Sequence, residues 1–329
     1  MGVFDGARVL VTGGAGFIGS HLCELLLNNG STVSVIDDLS SGKLDNIPLG
    51  INFIEASICD EESTSQILDE IDVVFHLAAI ASVPLCEEDP ELNNHVNIRA
   101  SEVLLDLCKS KPSVKAFIFA SSSAIYGAPK YIPIDESHPI SPMSNYGRAK
   151  AYFDSLVSPE SKSDLVSNLG MGGPLPKCCL RLFNVYGPRQ DPSSPYSGVV
   201  SIFLERLQNN SPIKIFGDGE QTRDFVFVSD VARAFFLVGE DLMLNGANSK
   251  CHKNSFNVST GKAVEINELI SEISLQTSKN PQIDVSPPRK ADIRHSLGNH
   301  DNLSKITGWF PEIGLKEGIS KLIDSEINN

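Results

Sequence analysis

The chain has 329 residues, of which 41% are hydrophobic, so it is long enough to bury one large core or two smaller ones. Its formal net charge of −14 argues against nucleic acid or an anionic membrane surface as the main partner, because both would repel it. The seven cysteines are odd in number and form no Cys-x-x-Cys pair, and no window approaches the roughly 18 apolar residues of a membrane-spanning helix. We therefore predict a soluble cytoplasmic protein with reduced thiols.

Short apolar runs alternate with helix-length amphipathic segments in the first half of the chain. Five runs rich in Val, Ile, Phe or Leu predict buried strands at residues 8–12, 32–36, 52–56, 73–78 and 116–120. Helices are predicted between them, for example at 19–29 and 97–109. This alternation predicts an α/β fold with a doubly wound parallel sheet. Residues 158–177, rich in Ser, Pro and Gly, predict a solvated loop, with a lid as the alternative.

A glycine-rich turn follows the first predicted strand. Gly13, Gly16 and Gly19 stand where a strand gives way to a helix that begins near Phe17. Such a turn lets the backbone approach a pyrophosphate, and the helix N-terminus supplies N–H donors for the phosphates. Eighteen residues after Gly19, Asp37 ends the second strand and can accept hydrogen bonds from an adenosine ribose. A carboxylate there repels a 2′-phosphate, so the sequence predicts NAD rather than NADP.

A second motif predicts proton transfer. Tyr146 and Lys150 are four residues apart and share one helix face. An ammonium near a phenol, together with the positive charge of an oxidised nicotinamide, is expected to lower the tyrosine pKa towards neutrality. Ser122, after the strand at 116–120, is placed to hydrogen-bond the same substrate hydroxyl. The three residues predict redox chemistry at a carbon that bears a hydroxyl.

The chain resembles the extended short-chain dehydrogenase/reductases, and among them the UDP-hexose 4-epimerases, closest to those that act on UDP-N-acetylglucosamine. The resemblance implies a Rossmann-type fold with a smaller, interleaved C-terminal substrate domain. It implies an NAD-binding domain at 1–180 plus about 224–260, and a nucleotide-sugar domain at 181–223 and 261–329. The motifs that carry it are Phe75-His76-Leu77-Ala78-Ala79, Ser122 with Tyr126-Gly127, Tyr146 with Lys150, Arg181-Leu182-Phe183-Asn184-Val185-Tyr186-Gly187-Pro188-Arg189-Gln190, Gly217-Asp218-Gly219-Glu220-Gln221-Thr222-Arg223-Asp224-Phe225-Val226 and Arg289-Lys290-Ala291-Asp292-Ile293-Arg294-His295-Ser296.

The resemblance also implies roles for individual residues and a homodimer formed through the helices that carry Asn97 and Tyr146. Catalysis is expected from Ser122, Tyr146 and Lys150. Cofactor contacts are expected from Gly13, Gly16, Phe17, Ile18, Asp37, Leu77, Ala78, Ala79, Asn97, Tyr146 and Lys150. Contacts to a UDP-sugar are expected from Ser82, Ser122, Ser123, Asn184, Arg223, Arg289, Asp292 and Ser296, with no metal ion involved. Arginines suit this task, because guanidinium groups bind phosphate oxygens bidentately.

Residues beside the motif discriminate among reactions of the family. The resemblance implies that 4,6-dehydratases carry an Asp-Glu pair where this chain has Ser123 and Ala124, and that decarboxylases keep a glutamate at the position of Ala124. What is left suffices to remove a hydride at C4 and to return it to the other face. Ser296 stands where such epimerases have a bulky tyrosine if they are limited to plain hexoses. A serine there predicts space for an N-acetyl group.

Two alternatives stay open at this point. A UDP-glucuronate epimerase or decarboxylase would need a group that binds a carboxylate, and Arg294 or His295 could serve. A dinucleotide-sensing regulator without catalysis would keep the fold, although both Tyr146 and Lys150 are intact. Ser296 could also be a surface serine without a role.

Overall fold

A computed structural model describes residues 2–158, 175–192, 198–288 and 293–327. The strands in these ranges are β1 Arg8–Thr12, β2 Thr32–Asp37, β3 Asn52–Glu55, β4 Val73–His76, β5 Ala116–Ser122, β6 Lys177–Leu182, β7 Asn184–Tyr186, β8 Ile213–Phe216, β9 Thr222–Arg223, β10 Phe225–Phe227, β11 Asn254–Val258, β12 Val264–Glu265 and β13 Ile283–Ser286. The α-helices are α1 Phe17–Asn28, α2 Glu61–Ile67, α3 Val83–Glu88, α4 Pro90–Asn93, α5 Ser101–Ser110, α6 Asn145–Val157, α7 Val199–Gln208, α8 Val228–Asn245, α9 Ile266–Thr277, α10 Asp301–Thr307 and α11 Leu315–Ile327.

The central sheet has seven parallel strands in the order β11-β6-β5-β4-β1-β2-β3. The chain winds outward in both directions from β1, so the predicted α/β, doubly wound parallel sheet is confirmed. The order reverses between β1 and β4, and in such sheets ligands bind outside the carboxyl ends of the strands at this point. The glycine turn after β1 and the loop after β4 therefore lie at the expected ligand crevice.

Apolar side chains cover both faces of the sheet. Along β1, Val9 and Val11 belong to the core on the side of α1 and α8, whereas Leu10 belongs to the core on the side of α5 and α6. This period of two explains why the runs carry apolar residues throughout, since both faces are buried. A separate apolar core lies among α7, α9 and α11 in the second half of the chain.

Smaller sheets build that second half. β7 pairs with β10, β8 pairs with β13 and β9 pairs with β12. In contrast, β6, α8 and β11 belong to the main sheet and its covering layer. The chain therefore leaves the main sheet after β6 and returns to it for α8 and β11.

Several sequence-based boundaries differ from the structure, by at most two residues for the strands. β4 ends at His76 rather than at residue 78, since the N–H of Ala78 donates to the side chain of Thr12 (3.2 Å) and thereby leaves the ladder. The helix predicted at 97–109 begins earlier, as a π-helical segment, Asn94–Ala100, that continues into α5. Of the loop predicted at 158–177, residues 159–174 lie outside the described ranges, while Ser158 is the C-cap of α6 and Lys177 begins β6.

Candidate active site

The glycine turn brings three chain segments into contact at the carboxyl end of β1. Gly13 has a φ of +73°, and a Cβ at this position would lie 2.7 Å from the amide nitrogen of Ala78. A Cβ on Gly19 would lie 2.2 Å from the carbonyl oxygen of Gly13, so Gly19 packs α1 against the turn rather than against the sheet. Gly14, which sequence reasoning missed, would place a Cβ 2.4 Å from the side chain of Val35. Side chains at these three positions would collide with the protein's own atoms, so the glycines keep the turn close to α1, to β2 and to the loop after β4.

The first turn of α1 faces the same crevice. Gly16 is the N-cap residue and offers no side chain to the N–H groups of Phe17 and Ile18. At the end of β2, the Asp37 carboxylate accepts hydrogen bonds from the N–H groups of Ala15 (3.0 Å) and Leu39 (2.9 Å). Each oxygen keeps acceptor capacity for a ribose hydroxyl. Burial raises the pKa of Asp37, which these backbone donors oppose. The turn, the helix end and the carboxylate together fit NAD.

Buried hydrogen bonds hold the loop after β4 against the glycine turn. The N–H of Leu77 donates to the carbonyl oxygen of Thr12 (3.1 Å). The Thr12 hydroxyl pairs with Nδ1 of His76 (2.8 Å), and Nε2 of His76 pairs with the hydroxyl of Ser101 (2.8 Å). Burial lowers the pKa of His76 to about 3, so the ring is neutral. His76 therefore serves to fix the loop.

Asn97 supports the far end of this loop. Its carbonyl oxygen accepts from the N–H of Ile80 (2.8 Å), and its amide donates to the Ile80 carbonyl (3.0 Å) and to Asn93 (2.8 Å). Asn97 itself is buried. The segment Leu77–Ala78–Ala79, predicted to touch the cofactor, is thus held at both ends, by Thr12 and by Asn97.

Ser122, Tyr146 and Lys150 come together where β5 meets α6. Helix α6 begins at Asn145, and the hydroxyl of its N-cap, Ser144, accepts from the N–H of Gly147 (3.0 Å). Tyr146 therefore lies in the first turn and Lys150 one turn later on the same face. The Lys150 ammonium donates to the Ala120 carbonyl (2.8 Å) and lies 5.9 Å from the centre of the Tyr146 ring.

Burial dominates the ionisation of Tyr146 and Lys150 in the cofactor-free chain. Burial raises the pKa of Tyr146 to about 12, although a hydrogen bond with Ser122 acts to lower it. Burial also lowers the pKa of Lys150 to about 8. In the cofactor-free chain desolvation outweighs the lowering expected from Lys150, whose ammonium is directed at Ala120. The expectation also counted the charge of an oxidised nicotinamide, and it stays a prediction. A phenolate here needs a further positive charge nearby.

The predicted substrate-side residues come from both halves of the chain. Asn184 begins β7 and is exposed, and Arg223 lies on β9, where its guanidinium donates to the Thr222 carbonyl (2.8 Å). Ser82 caps α3 through the N–H of Leu85 (3.0 Å), and Ser123 opens the turn after Ser122. Arg289 and Asp292 lie outside the described residues.

Ser296 lies on a segment, residues 294–299, that we call the strap. The N–H of Ser296 donates to the Thr222 carbonyl (3.1 Å), and the strap then pairs with Ile134 through Leu297 (2.8 Å) and Asn299 (2.8 Å). Ser296 is 8% exposed, so the interpretation as a surface serine is wrong. A buried small residue next to the β9 strand is consistent with a place on a pocket wall.

Arg294 and His295 are both engaged on the outer side of the strap. Arg294 makes a bidentate ion pair with Asp218 (2.6 and 2.9 Å) and also contacts Glu220 (3.0 Å). His295 pairs through Nδ1 with the hydroxyl of Thr222 (3.1 Å). Neither side chain is placed as an uncommitted receptor for a sugar carboxylate.

The chain matches the model of the NAD dependent epimerase/dehydratase family over residues 9–257. It belongs to this family. A putative UDP-glucose 4-epimerase of Methanocaldococcus jannaschii is 37% identical over 324 residues, covering 98% of this chain and 99% of the relative. A UDP-N-acetyl-alpha-D-glucosaminuronate decarboxylase of Bacillus cytotoxicus is 30% identical over 337 residues, covering 98% and 99%.

Solved structures of epimerases share the whole fold. The UDP-glucose 4-epimerase of Thermotoga maritima with UDP-glucose has a TM-score of 0.87 at 38% identity, covering 98% of this chain and 99% of that one. The UDP-N-acetylglucosamine 4-epimerase of Methanobrevibacter ruminantium with UDP-N-acetylmuramic acid has a TM-score of 0.88 at 35% identity, covering 98% and 99%. A Thermus thermophilus UDP-glucose 4-epimerase complex with NAD has a TM-score of 0.84 at 36% identity, covering 97% and 98%. The chain is thus an NAD-dependent isomerase of the UDP-sugar 4-epimerase group.

Sequence reasoning missed one buried carboxylate of this epimerase. Asp224 is fully buried and accepts from the N–H and hydroxyl of Thr260 (both 2.7 Å), the N–H of Gly261 (3.0 Å) and the N–H of Gly298 (3.1 Å). It fastens the strap and the loop after β11 to the turn that carries Arg223. The only sequence signal was its place beside Arg223, since its partners are far away along the chain.

Two features are absent from the described ranges. No cluster of three or more His, Cys, Asp or Glu side chains in them is arranged to hold a metal ion. Of the helices in these ranges, none combines the length and hydropathy of a bilayer-spanning segment.

Proposed function

We propose that the protein interconverts UDP-N-acetylglucosamine and UDP-N-acetylgalactosamine by epimerisation at C4 through a 4-keto intermediate, with UDP-glucose and UDP-galactose as slower substrates. The observation that carries the proposal is the group of Ser122, Tyr146 and Lys150 beside Ser123 and Ala124, which offer no acid–base pair for elimination. NAD held at the glycine turn would supply the hydride acceptor and donor for C4 of the sugar.

The chain's own residues handle the proton and orient the sugar. Tyr146 is the base that takes the proton of the C4 hydroxyl, and Ser122 hydrogen-bonds the same oxygen. Lys150 supplies positive charge beneath the tyrosine and holds it against the end of β5 through Ala120. Because the chain alone raises the pKa of Tyr146 to about 12, the base works only when a cationic nicotinamide adds its field.

The cofactor is proposed to lie along the glycine turn, and the nucleotide on the second half of the chain. Residues 1–180 with 224–260 would hold NAD through Gly13, Gly16, Phe17, Ile18, Asp37, Leu77, Ala78, Ala79 and Asn97. Residues 181–223 and 261–329 would hold the UDP-sugar through Asn184, Arg223, Arg289, Asp292 and Ser296, with Ser82 and Ser123 nearer the sugar. The acidic surface makes such local arginines necessary for an anionic ligand.

The alternative of an acidic-sugar enzyme keeps some support from the Bacillus cytotoxicus decarboxylase. The ion pair of Arg294 with Asp218 and the hydrogen bond of His295 with Thr222 speak against it, because both candidate receptors already have partners. Ala124 also stands where the resemblance implies a decarboxylase glutamate. We further propose that the enzyme works in the cytoplasm as a homodimer through the helices that carry Asn97 and Tyr146.

Product analysis tests the proposed reaction. Purified protein is incubated separately with UDP-N-acetylglucosamine, UDP-glucose and UDP-glucuronate, without added reductant, and the products are separated chromatographically. We expect the C4 epimer of the N-acetylated sugar to form fastest. The Tyr146→Phe variant is the matched control, since it keeps the ring and loses the hydroxyl. A C4 epimer from none of the substrates would overturn the proposal.

Substitution at Ser296 tests the sugar preference. Ser296→Tyr places a large side chain at a position that is 8% exposed, so we expect the specificity constant for UDP-N-acetylglucosamine to fall at least about a hundredfold. The constant for UDP-glucose should change far less. Ser296→Ala is the control, because it keeps the small volume. Full activity of Ser296→Tyr on the N-acetylated substrate would contradict this assignment.

A further inference from the structure

Helix α6 carries a third polar residue on the face of Tyr146 and Lys150. Asp154 lies one turn beyond Lys150 and is fully buried. Its carboxylate forms a bidentate ion pair with Arg181 of β6, through Nε (3.1 Å) and Nη2 (2.8 Å), and both side chains have no exposed surface. A buried pair of this kind contributes little net stability, so its presence next to the reacting residues raises the question of another role.

The third guanidinium nitrogen of Arg181 contacts Tyr126, the residue after the turn that Ser122 and Ser123 open, which we call the serine turn. Nη1 of Arg181 donates to the Tyr126 hydroxyl (3.0 Å) and to the Glu136 carbonyl (3.3 Å). Tyr126 directly follows the turn that Ser122 and Ser123 open, and its N–H donates to the Ser123 carbonyl (3.1 Å). The ion pair therefore connects the helix of Tyr146 with the turn of Ser122.

From Tyr126 the hydrogen bonds continue to the strap. The Tyr126 hydroxyl donates to Oδ1 of Asn257 (2.7 Å), and the Asn257 amide donates to the Ile134 carbonyl (2.9 Å). Ile134 in turn pairs with the strap at Leu297 (2.8 Å) and Asn299 (2.8 Å). One continuous chain of hydrogen bonds thus joins α6, the serine turn and the segment that carries Ser296.

We propose that Tyr126, Arg181 and Asp154 are positioning residues. They set the distance from the reacting pair, Tyr146 and Ser122, to the strap residue Ser296, which is proposed to line the sugar pocket. The proposal rests on the proposed epimerase function. None of the three touches the sugar in this account, and they act through the elements that they connect. Proton transfer requires the Tyr146 hydroxyl to lie within hydrogen-bond distance of the C4 hydroxyl of the sugar. A small displacement of α6 relative to the strap therefore slows turnover without weakening the binding of the nucleotide.

Tyr126→Phe is the sharpest test, because it removes one hydroxyl and leaves the ring between Arg181 (5.4 Å from the ring centre) and His138 (5.5 Å). We expect kcat to fall about tenfold, the effect of one lost hydrogen bond to a charged group, with KM for the UDP-sugar within about twofold. Tyr131→Phe is the matched control, since the hydroxyl of Tyr131 bonds only with Asp135 and Ser137 in its own exposed loop. It should behave as the parent enzyme.

Hydrogen exchange gives a readout that does not depend on turnover. In holoenzyme with Tyr126→Phe, amide exchange should speed up about tenfold in peptides covering 294–299 and 146–154, and should be unchanged with Tyr131→Phe. Asp154→Glu, which keeps the charge, should retain part of kcat, while Asp154→Asn should lose more.

Each outcome separates the two proposals. A parent enzyme that epimerises, with a Tyr126→Phe variant equal to it in kcat and in exchange, overturns the positioning role alone. A Tyr126→Phe preparation with fewer active sites but an unchanged kcat per site also overturns the positioning role, since this result reports only a folding defect. A parent enzyme that epimerises nothing overturns the proposed function, and the exchange data then still decide whether the three residues couple α6 to the strap.

Discussion

The buried charge of Lys150 is expected to destabilise the folded protein at neutral pH. Removal of this charge should therefore raise the free energy of unfolding while it abolishes the reaction. The ammonium is 4% exposed, and burial lowers the pKa of Lys150 from 10.5 to about 8. A pKa lowered by about 2.5 corresponds to roughly 3 kcal/mol of penalty for the buried charge. Replacement by Met removes this penalty but leaves the Ala120 carbonyl without its donor, which costs about 1 kcal/mol. Lys150→Met should therefore be about 2 kcal/mol more stable at pH 7.

The sign of the pH dependence follows from the direction of the shift. Below about pH 8, Lys150 is protonated in both the folded and the unfolded state, and the full penalty applies. Between about pH 8 and 10.5 the unfolded state still holds the proton that the folded state has lost, so the parent gains stability relative to the variant as pH rises. Above 10.5 the penalty is gone and the variant should be the less stable protein.

Urea unfolding of the two cofactor-free proteins at pH 7 and at about pH 10 measures this difference. Most other titrating groups contribute equally to both proteins, and the two that Lys150 influences, His76 and Cys86, have pKa values of about 3 and about 11, outside the range from pH 7 to 10. The advantage of Lys150→Met should shrink between the two pH values, and its epimerase activity should be absent at both. An advantage that is equal at both pH values, or a variant that is the weaker protein at pH 7, would refute the reasoning.

Three other variants test separate parts of the site. Gly13→Ala combines a φ of +73° with a Cβ 2.7 Å from the Ala78 amide, so we expect the free energy of unfolding to fall by about 2 kcal/mol or more and no NAD to be bound. The control Gly50→Ala, with a φ of +92° and open space around it, should cost about 1 kcal/mol and still bind NAD. Tyr146→Phe should lose turnover by at least about a hundredfold yet still bind NAD and UDP in calorimetry. Asp224→Asn places an amide group against two of the N–H or O–H groups that donate to Asp224. Urea unfolding should therefore show a free energy of unfolding lower by about 3 kcal/mol, and KM for the UDP-sugar should rise. An unchanged urea midpoint and an unchanged KM would contradict the role of Asp224 in fastening the strap.

The sequence predicted the fold where local patterns decide it. All five predicted strands were placed within two residues, since a short apolar run between turn residues has few other solutions in an α/β chain. The glycine turn was also predictable, because Gly13, Gly16 and Gly19 stand at a fixed spacing between a strand and a helix, although the contact of Gly13 with Ala78 was not predictable. Both are consequences of residues close together in the chain.

The rest depended on partners that lie far apart in the chain. Asp154 and Arg181 are 27 residues apart, and no periodicity predicts that they pair. The high pKa of Tyr146 in the cofactor-free chain was not predicted either, because its degree of burial comes from packing and not from its distance to Lys150 along the helix. The π-helical segment at Asn94–Ala100 was likewise missed, since helical periodicity does not distinguish it from an α-helix.

The central claim is an oxidation at C4 that is reversed within one active site, and isotope retention tests it most directly. UDP-N-acetylglucosamine carrying deuterium at C4 is converted in ordinary water, and the UDP-N-acetylgalactosamine product is examined by mass spectrometry and proton NMR. The account predicts that the product keeps the deuterium at C4. Loss of the deuterium to solvent, or a product that lacks the inverted C4 centre, would contradict it.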